Sequence, residues 1–179
     1  MAALIFNDKV NPKAKTEFFK IYADVSADGG GTPQWELQGR GVASWTVTQN
    51  QDITKESDVL GYVDIERGVA QPTQSGVDLK LRKGSKLGEL LFNSWLSGDT
   101  SRIDAIKILQ KFEFIDGTAE NKCKARQDTC LIAINSFNGE AAGYLGFNID
   151  IHYSNQTVIG EMAIDDSAGA ITFTPDGKA

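Results

Sequence analysis

Phe147-Asn148-Ile149-Asp150-Ile151-His152-Tyr153 alternates apolar and polar side chains without a break. Successive side chains of an extended strand point to opposite faces of a sheet. Phe147, Ile149, Ile151 and Tyr153 therefore share one face, and Asn148, Asp150 and His152 the other. The same period recurs on both sides of this stretch. Ala43, Trp45 and Val47 oppose Ser44, Thr46 and Thr48; Val63 and Ile65 oppose Tyr62, Asp64 and Glu66; Val77, Leu79 and Leu81 oppose Asp78, Lys80 and Arg82. Ile106, Ile108, Phe112 and Phe114 share a face interrupted only by Gln110, and Ile171 and Phe173 oppose Thr172 and Thr174. Near the start, Phe18–Val25 carries strand-forming residue types and is followed by the turn Asp28-Gly-Gly-Gly-Thr-Pro33. Half-buried strands at short spacing, with turn residues between them, predict a mainly β protein built as a sandwich or barrel.

One segment has a different period. In Gly84–Gly98, Leu87, Leu90, Leu91 and Trp95 fall at i, i+3, i+4 and i+8, which is one face of a helix. The spacing predicts a single helix over about 85–97, capped by Ser85, ended by Gly98, and lying across the sheets with Trp95 buried. Glutamate stands at 89 rather than 88, so the local sequence has no capping box. Between Gln49 and Gly61 the chain is polar and follows neither period, and it joins two strand patterns that could pair as a long hairpin. A connection of this kind is by default a surface loop; its functional reading is a projection that docks on a neighbouring subunit.

The 179 residues fit one domain, with 41% apolar and 23% charged residues. The net charge is −6, which argues against a protein that grips nucleic acid by neutralising phosphates. From Leu131 onward the acids are Glu140, Asp150, Glu161, Asp165, Asp166 and Asp176, and Lys178 is the one base. Such a run commonly forms a solvated face; it can also repel a polyanion. Cys123 and Cys130, with His152 as the one histidine, are too few for an ordinary structural zinc site; they could form a disulfide, but nothing in the sequence marks an oxidising compartment, so they read by default as reduced, packed thiols. The first residues lack the basic and apolar regions of a signal peptide, and no stretch approaches the ~18 apolar residues of a membrane span.

Catalytic constellations fail on the residues present. A Ser-His-Asp or Cys-His arrangement would have to use His152, which sits on the polar side of its strand pattern. Gly29-Gly-Gly31 lacks the Gly-Lys-Ser/Thr ending of a P-loop, and Gly39-Arg-Gly41 lacks the third glycine of a dinucleotide site. Asp165-Asp166 lies in a turn-like Asp-Asp-Ser-Ala-Gly. No catalytic site, metal site or cofactor is expected, and the chain is not read as an enzyme.

The order of elements carries a resemblance. A short N-terminal strand precedes the strand Trp45-Thr-Val-Thr; a polar loop leads to Leu60-Gly-Tyr-Val-Asp-Ile; the strand Val77–Arg82 runs into one helix opened by Gly84 and closed by Gly98-Asp99; alternating strands then reach a Gly-rich, acidic end. Over roughly residues 16–175 this resembles the major tail tube protein of long-tailed bacteriophages, a family related to contractile-tail tubes and to the tube of type VI secretion. The resemblance implies two packed antiparallel sheets, sandwich or barrel-like, with one flanking helix, in a single domain spanning 1–179. It implies hexameric rings stacked into a tube that conducts DNA into the host, in a virion tail assembled in the bacterial cytoplasm. The loop Gln49, Asn50, Gln51, Asp52, Ile53, Thr54, Lys55, Glu56, Ser57 and Asp58 would make inter-subunit contacts, together with arms at about 1–16 and 165–179. Acids on the polar side of strands, Asp64, Glu66, Asp78 and Asp150, are candidates to face the lumen and keep DNA from sticking. The implied partners are further copies of the chain, tail initiator or baseplate, tape measure and tail terminator proteins, and DNA in passage, with no membrane insertion.

The competing reading is a monomeric β-sandwich binding module for a carbohydrate or protein, which would cluster exposed aromatics on one face. An oligonucleotide-binding barrel would interleave bases with aromatics, and Lys80 and Arg82 have no aromatic between them.

Overall fold

The computed structural model describes residues 6–10, 13, 15–26, 31–38, 46–57, 59–119, 121–139, 143–165 and 169–177. Trp45, Gly29, Gly30, Gly39, Arg40, Gly41, Asp58 and Asp166, singled out above, lie outside them. Among the described residues, single 3₁₀ turns at Asp8–Val10 and Thr16–Phe18 are followed by ten strands and one helix. The strands are β1 (Phe19–Asp24), β2 (Trp35–Gln38), β3 (Val47–Thr48), β4 (Ile53–Ser57), β5 (Val63–Arg67), β6 (Thr73–Lys80), β7 (Ile106–Asp116), β8 (Lys122–Asn138), β9 (Gly146–Ile164) and β10 (Ile171–Pro175); α1 (Lys86–Ser97) follows β6. All pairings are antiparallel. The fold is the mainly β one expected, with two antiparallel sheets and one helix. The sheets are unequal: an eight-stranded sheet in the order β2-β1-β7-β8-β9-β6-β3, with β10 also on β9, and a two-stranded ribbon of β4 and β5.

The long strands β8 and β9 form the spine. One edge of β9 pairs with β8; the other takes β6 near its start and β10 near its end. On one face of the large sheet the register sets Ala23 beside Ile108, and Ile106 beside Cys130. It continues through Ile132, Ile151, Ile149 and Val77, and this cluster, with Leu87 and Leu91 of α1 over it, is the larger core. The opposite face is apolar elsewhere, where Tyr22, Leu109, Cys123, Ala125 and Met162 meet Trp35, Ile171 and Phe173. Both cysteines are free and buried; burial pushes the Cys130 thiol far up and the Cys123 thiol up, so neither is a poised nucleophile.

α1 forms where the spacing put it. Ser85 Oγ accepts from Gly88 N–H at 3.1 Å, and Gly98 ends the helix in the left-handed region at φ 73°. The capping acid absent from the local sequence comes from β2. Glu36 Oε2 accepts from Leu87 N–H at 3.0 Å, and Glu36 Oε1 accepts from Ser85 Oγ at 2.8 Å. An edge strand at one end of the sheet thus ties the helix that leaves β6 near the other end, which curls the sheet around its core without closing a barrel. The helix face differs from the expected one. Leu87, Gly88, Leu91 and Ser94 are buried, whereas Trp95 is 48% exposed. Gly88 and Ser94 are small enough for α1 to sit close on that side, with Leu81 Cδ2 only 3.2 Å from where a Gly88 Cβ would be. This rotates Trp95 to the margin, where its ring rests on Phe137 at 4.9 Å between centroids.

Candidate assembly surface

The polar segment after Gln49 is neither a loop nor part of the core. β4 pairs with β5 in the register Ile53↔Arg67, Thr54↔Glu66, Lys55↔Ile65, Glu56↔Asp64 and Ser57↔Val63. The pairing continues toward the large sheet: Gly68 N–H donates to Asp52 O at 2.8 Å, Gln71 N–H to Gln49 O at 3.1 Å, and Val47 then pairs with Gln74 of β6. Side chains reinforce this stem, with Gln51 Nε2 donating to Gly68 O at 2.9 Å and Asn50 Nδ2 to Gln71 O at 3.2 Å. The result is one long hairpin rooted in β3 and β6, in which every described residue from Thr48 to Val69 is exposed. At ~3.3 Å per residue, β4 alone extends about 16 Å beyond this stem. The candidate contact residues Gln49, Asn50, Gln51, Asp52, Ile53, Thr54, Lys55, Glu56 and Ser57 all lie on it.

The register divides the ribbon into unlike faces. Directly paired residues share a face and neighbours along a strand do not. One face carries Thr54, Glu56, Asp64 and Glu66; the other carries Ile53, Ser57, Val63 and Ile65 with Lys55 and Arg67. Glu56 stands directly opposite Asp64, an arrangement that disfavours the isolated ribbon. Two of the four candidate lumen acids, Asp64 and Glu66, thus share a face with Glu56, which sequence reasoning did not single out among acids. Only the register reveals it, because β4 taken alone shows no apolar period.

Asp78 and Asp150 lie elsewhere, together, on the face of β6 and β9 that turns away from the larger core. Asn148 pairs with Asp78 across the strands and donates Nδ2–H to its Oδ1 at 2.8 Å; Asp150 is two residues further along the same face. Asp150 Oδ1 also accepts from Gly76 N–H at 2.7 Å, at the bulge in β6 where Gly76 takes φ 66°. His152 is exposed on the same face, as its position in the alternating stretch required.

The C-terminal strand is clasped by charge. Glu161, buried, accepts from Thr118 N–H at 2.7 Å and Thr118 Oγ1 at 2.8 Å and lies 3.5 Å from Lys124 Nζ, which also holds Asp176 at 3.1 Å. Burial pushes Glu161 up, but the Thr118 hydrogen bonds and Lys124 outweigh it and hold the carboxyl below its ordinary value. Among the described residues no group of three or more His, Cys, Asp and Glu side chains is placed to hold a metal ion, and no helix is long and apolar enough to cross a membrane. Chemically, the arrangement offers an exposed apolar arm and separated acidic faces.

No protein-family model matches the chain, and no curated protein matches it. Among solved structures it is similar to a chain from the sheath–tube complex of an extracellular contractile injection system (PVC) in its extended state. The identity is 12% and the TM-score 0.44, with 82% of this chain and 88% of that chain covered. It is also similar to a chain from the sheath/tube terminator of an extracellular contractile injection system (PVC) in its extended state. There the identity is 10% and the TM-score 0.47, with 81% and 94% covered. Similarity at this level is one of partial shape.

Proposed function

We propose that the chain is a structural protein that assembles with copies of itself into rings stacked as a tail tube, and that it works without catalysis. The observation that carries this reading is the ribbon. A two-stranded ribbon with no packed face is marginal in water, yet β4 and β5 set Ile53, Val63 and Ile65 on one exposed face of a long arm. Side chains of that kind are unfavourable on a solitary protein and favourable in a subunit that buries them against a neighbour. A head-to-tail contact of this type propagates into closed rings or open filaments.

In this reading one unit spans 1–179, and residues about 1–16 and 165–179 act as further inter-ring contacts. Asp64, Glu66, Asp78 and Asp150 face the lumen, where their carboxylates repel the phosphates of a passing duplex. The partners are further copies, an initiator or baseplate, a tape measure and a terminator, in a virion tail built in the bacterial cytoplasm. A monomeric binding module is the competing reading, and half-exposed Trp95 favours it. Electron microscopy of the purified protein separates the two: the tube reading expects rings or hollow tubes, and the module reading expects a monomer.

A further inference from the structure

Gln38 closes β2 with a side chain that nothing in the fold uses. It is 8% exposed, and neither its amide nitrogen nor its amide oxygen has a hydrogen-bond partner. Buried amides are almost always paired, because a lone one gives up its hydrogen bonds to water and gains none in return. The register shows which way this one points. Gln38 pairs with Ile21 as Glu36 pairs with Ala23, so both side chains lie on the face of the larger core. Gln38 there lines a cavity of about 450 Å³ between β2, the end of β6 and the start of α1. That volume is within the range of small-molecule sites.

Val25, Leu79 and Leu87 give the cavity apolar walls, and the exposed Arg82 and Lys83 also border it. Other polar groups around it are already engaged. Glu36 holds Leu87 N–H and Ser85 Oγ, and Lys86 Nζ donates to Gln34 Oε1 at 2.9 Å. Arg82 and Lys83 also border a neighbouring depression that holds Glu89, yet among the described residues neither forms an ion pair. The cavity is thus left with one amide and two cations to spare. The cavity at Lys9 and Lys111 has no such surplus, since both lysines gather on Glu113, and at the one beside Tyr144 the Lys80 ammonium sits over the ring at 5.3 Å.

We propose that this cavity binds a small ligand in which an amide adjoins a free carboxylate, the chemistry of an acylated amino acid or of the last residue of a peptide. The Gln38 side chain offers a donor and an acceptor, which an amide matches. Arg82 and Lys83 take the carboxylate through charge-assisted hydrogen bonds, and an apolar side chain fills the space beside Val25, Leu79 and Leu87. The Glu36 carboxylate on the same wall favours a singly charged anion over a phosphate, which carries more charge. The terminal torsion of a glutamine is broad, so the Gln38 amide turns to meet its partner at little cost. The site is independent of self-assembly.

The test is ligand-observed saturation-transfer NMR on the full chain, which reads single subunits and tubes alike, with N-acetyl-leucine as the probe. Binding should saturate on the order of 1 mM, as expected for a ligand of this size. N-acetyl-leucinamide, which lacks the charge, and 4-methylpentanoate, which lacks the amide, should each bind about tenfold more weakly or worse. Arg82→Ala with Lys83→Ala should weaken N-acetyl-leucine by a similar factor. Gln38→Met should remove the preference for N-acetyl-leucine over 4-methylpentanoate. It should also raise the urea midpoint, because it deletes an unpartnered buried amide. An acetylated tripeptide ending in leucine separates the two sources: tighter binding than N-acetyl-leucine assigns the site to a peptide end, and weaker binding to a free acylated amino acid. No saturation transfer from N-acetyl-leucine, or equal competition by inorganic phosphate, would overturn the proposal. A urea midpoint that falls in Gln38→Met would overturn it too, since the amide would then be paired within the protein.

Discussion

Asp128 has no exposed surface, and its carboxylate is held by the Arg126 guanidinium, with Nε at 2.8 Å, and by the Thr157 hydroxyl at 2.6 Å. The two partners are not equivalent. Arg126→Leu strands a buried anion with a single neutral donor, and breaking a buried pair in that way costs about 3–5 kcal/mol. Thr157→Val removes one hydrogen bond to a carboxylate that keeps its cation, at a cost of about 1–3 kcal/mol. Urea denaturation should therefore rank Arg126→Leu well below Thr157→Val. Glu113 and Glu161 contribute to the loss of stability in acid. Burial raises Glu113, but hydrogen bonds and charge from Lys20 and Lys111 bring it below its ordinary 4.5, and Glu161 is lowered by Thr118 and Lys124. A folded value below the unfolded one means that stability is fully present above about pH 4.5 and is lost as pH falls through the lower folded values. The urea midpoint should hold between pH 8 and 5 and fall below 4.5, and the fall should be shallower in Glu113→Gln with Glu161→Gln.

At the scale of elements, α1 depends on a cap shared between distant parts of the chain. Ser85→Ala removes the acceptor for Gly88 N–H, a loss of about 1 kcal/mol for an N-cap. Glu36→Gln weakens two contacts at once, to Leu87 N–H and to Ser85 Oγ. Because both substitutions strike one network, their effects on the urea midpoint should be less than additive; additive losses would mean that Glu36 and Ser85 act independently. The helix and its Ser85 and Gly98 ends were legible because their spacing is local. Glu36 was not, since its role depends on how the sheet curls. Trp95 misled because a search for apolar positions passes over Gly88 and Ser94, whose smallness decides which side of the helix comes close. β6 and the first half of β9 were legible because each buries one face throughout its apolar run; β7 was legible from Ile106 and Ile108, although Leu109 is buried on its opposite face. β8 was not, for it buries Cys123 and Ala125 on one face and then Cys130 and Ile132 on the other, so no single period spans its length. β4 escaped for a different reason: all five of its residues are exposed, so burial imposes no pattern on it.

At the scale of the whole molecule, the ribbon leaves Ile53, Val63 and Ile65 exposed on one face, and Asp64, Glu66, Asp78 and Asp150 lie on the polar faces of their strands. Of the candidate site, the acids were legible singly, and the stretch from Gln49 to Ser57 as a projection. The grouping of Asp64 and Glu66 with Glu56, and of Asp78 with Asp150, required the registers of the ribbon and of β6 on β9. The central claim, self-assembly into a tube, is tested most directly by negative-stain electron microscopy of the purified wild-type chain over a concentration series. Light-scattering mass is measured on the same samples, with and without tail-initiator proteins. The account predicts rings or hollow tubes whose mass rises with concentration or on addition of the initiator. A strict monomer at the highest concentration, with initiator present, would contradict it.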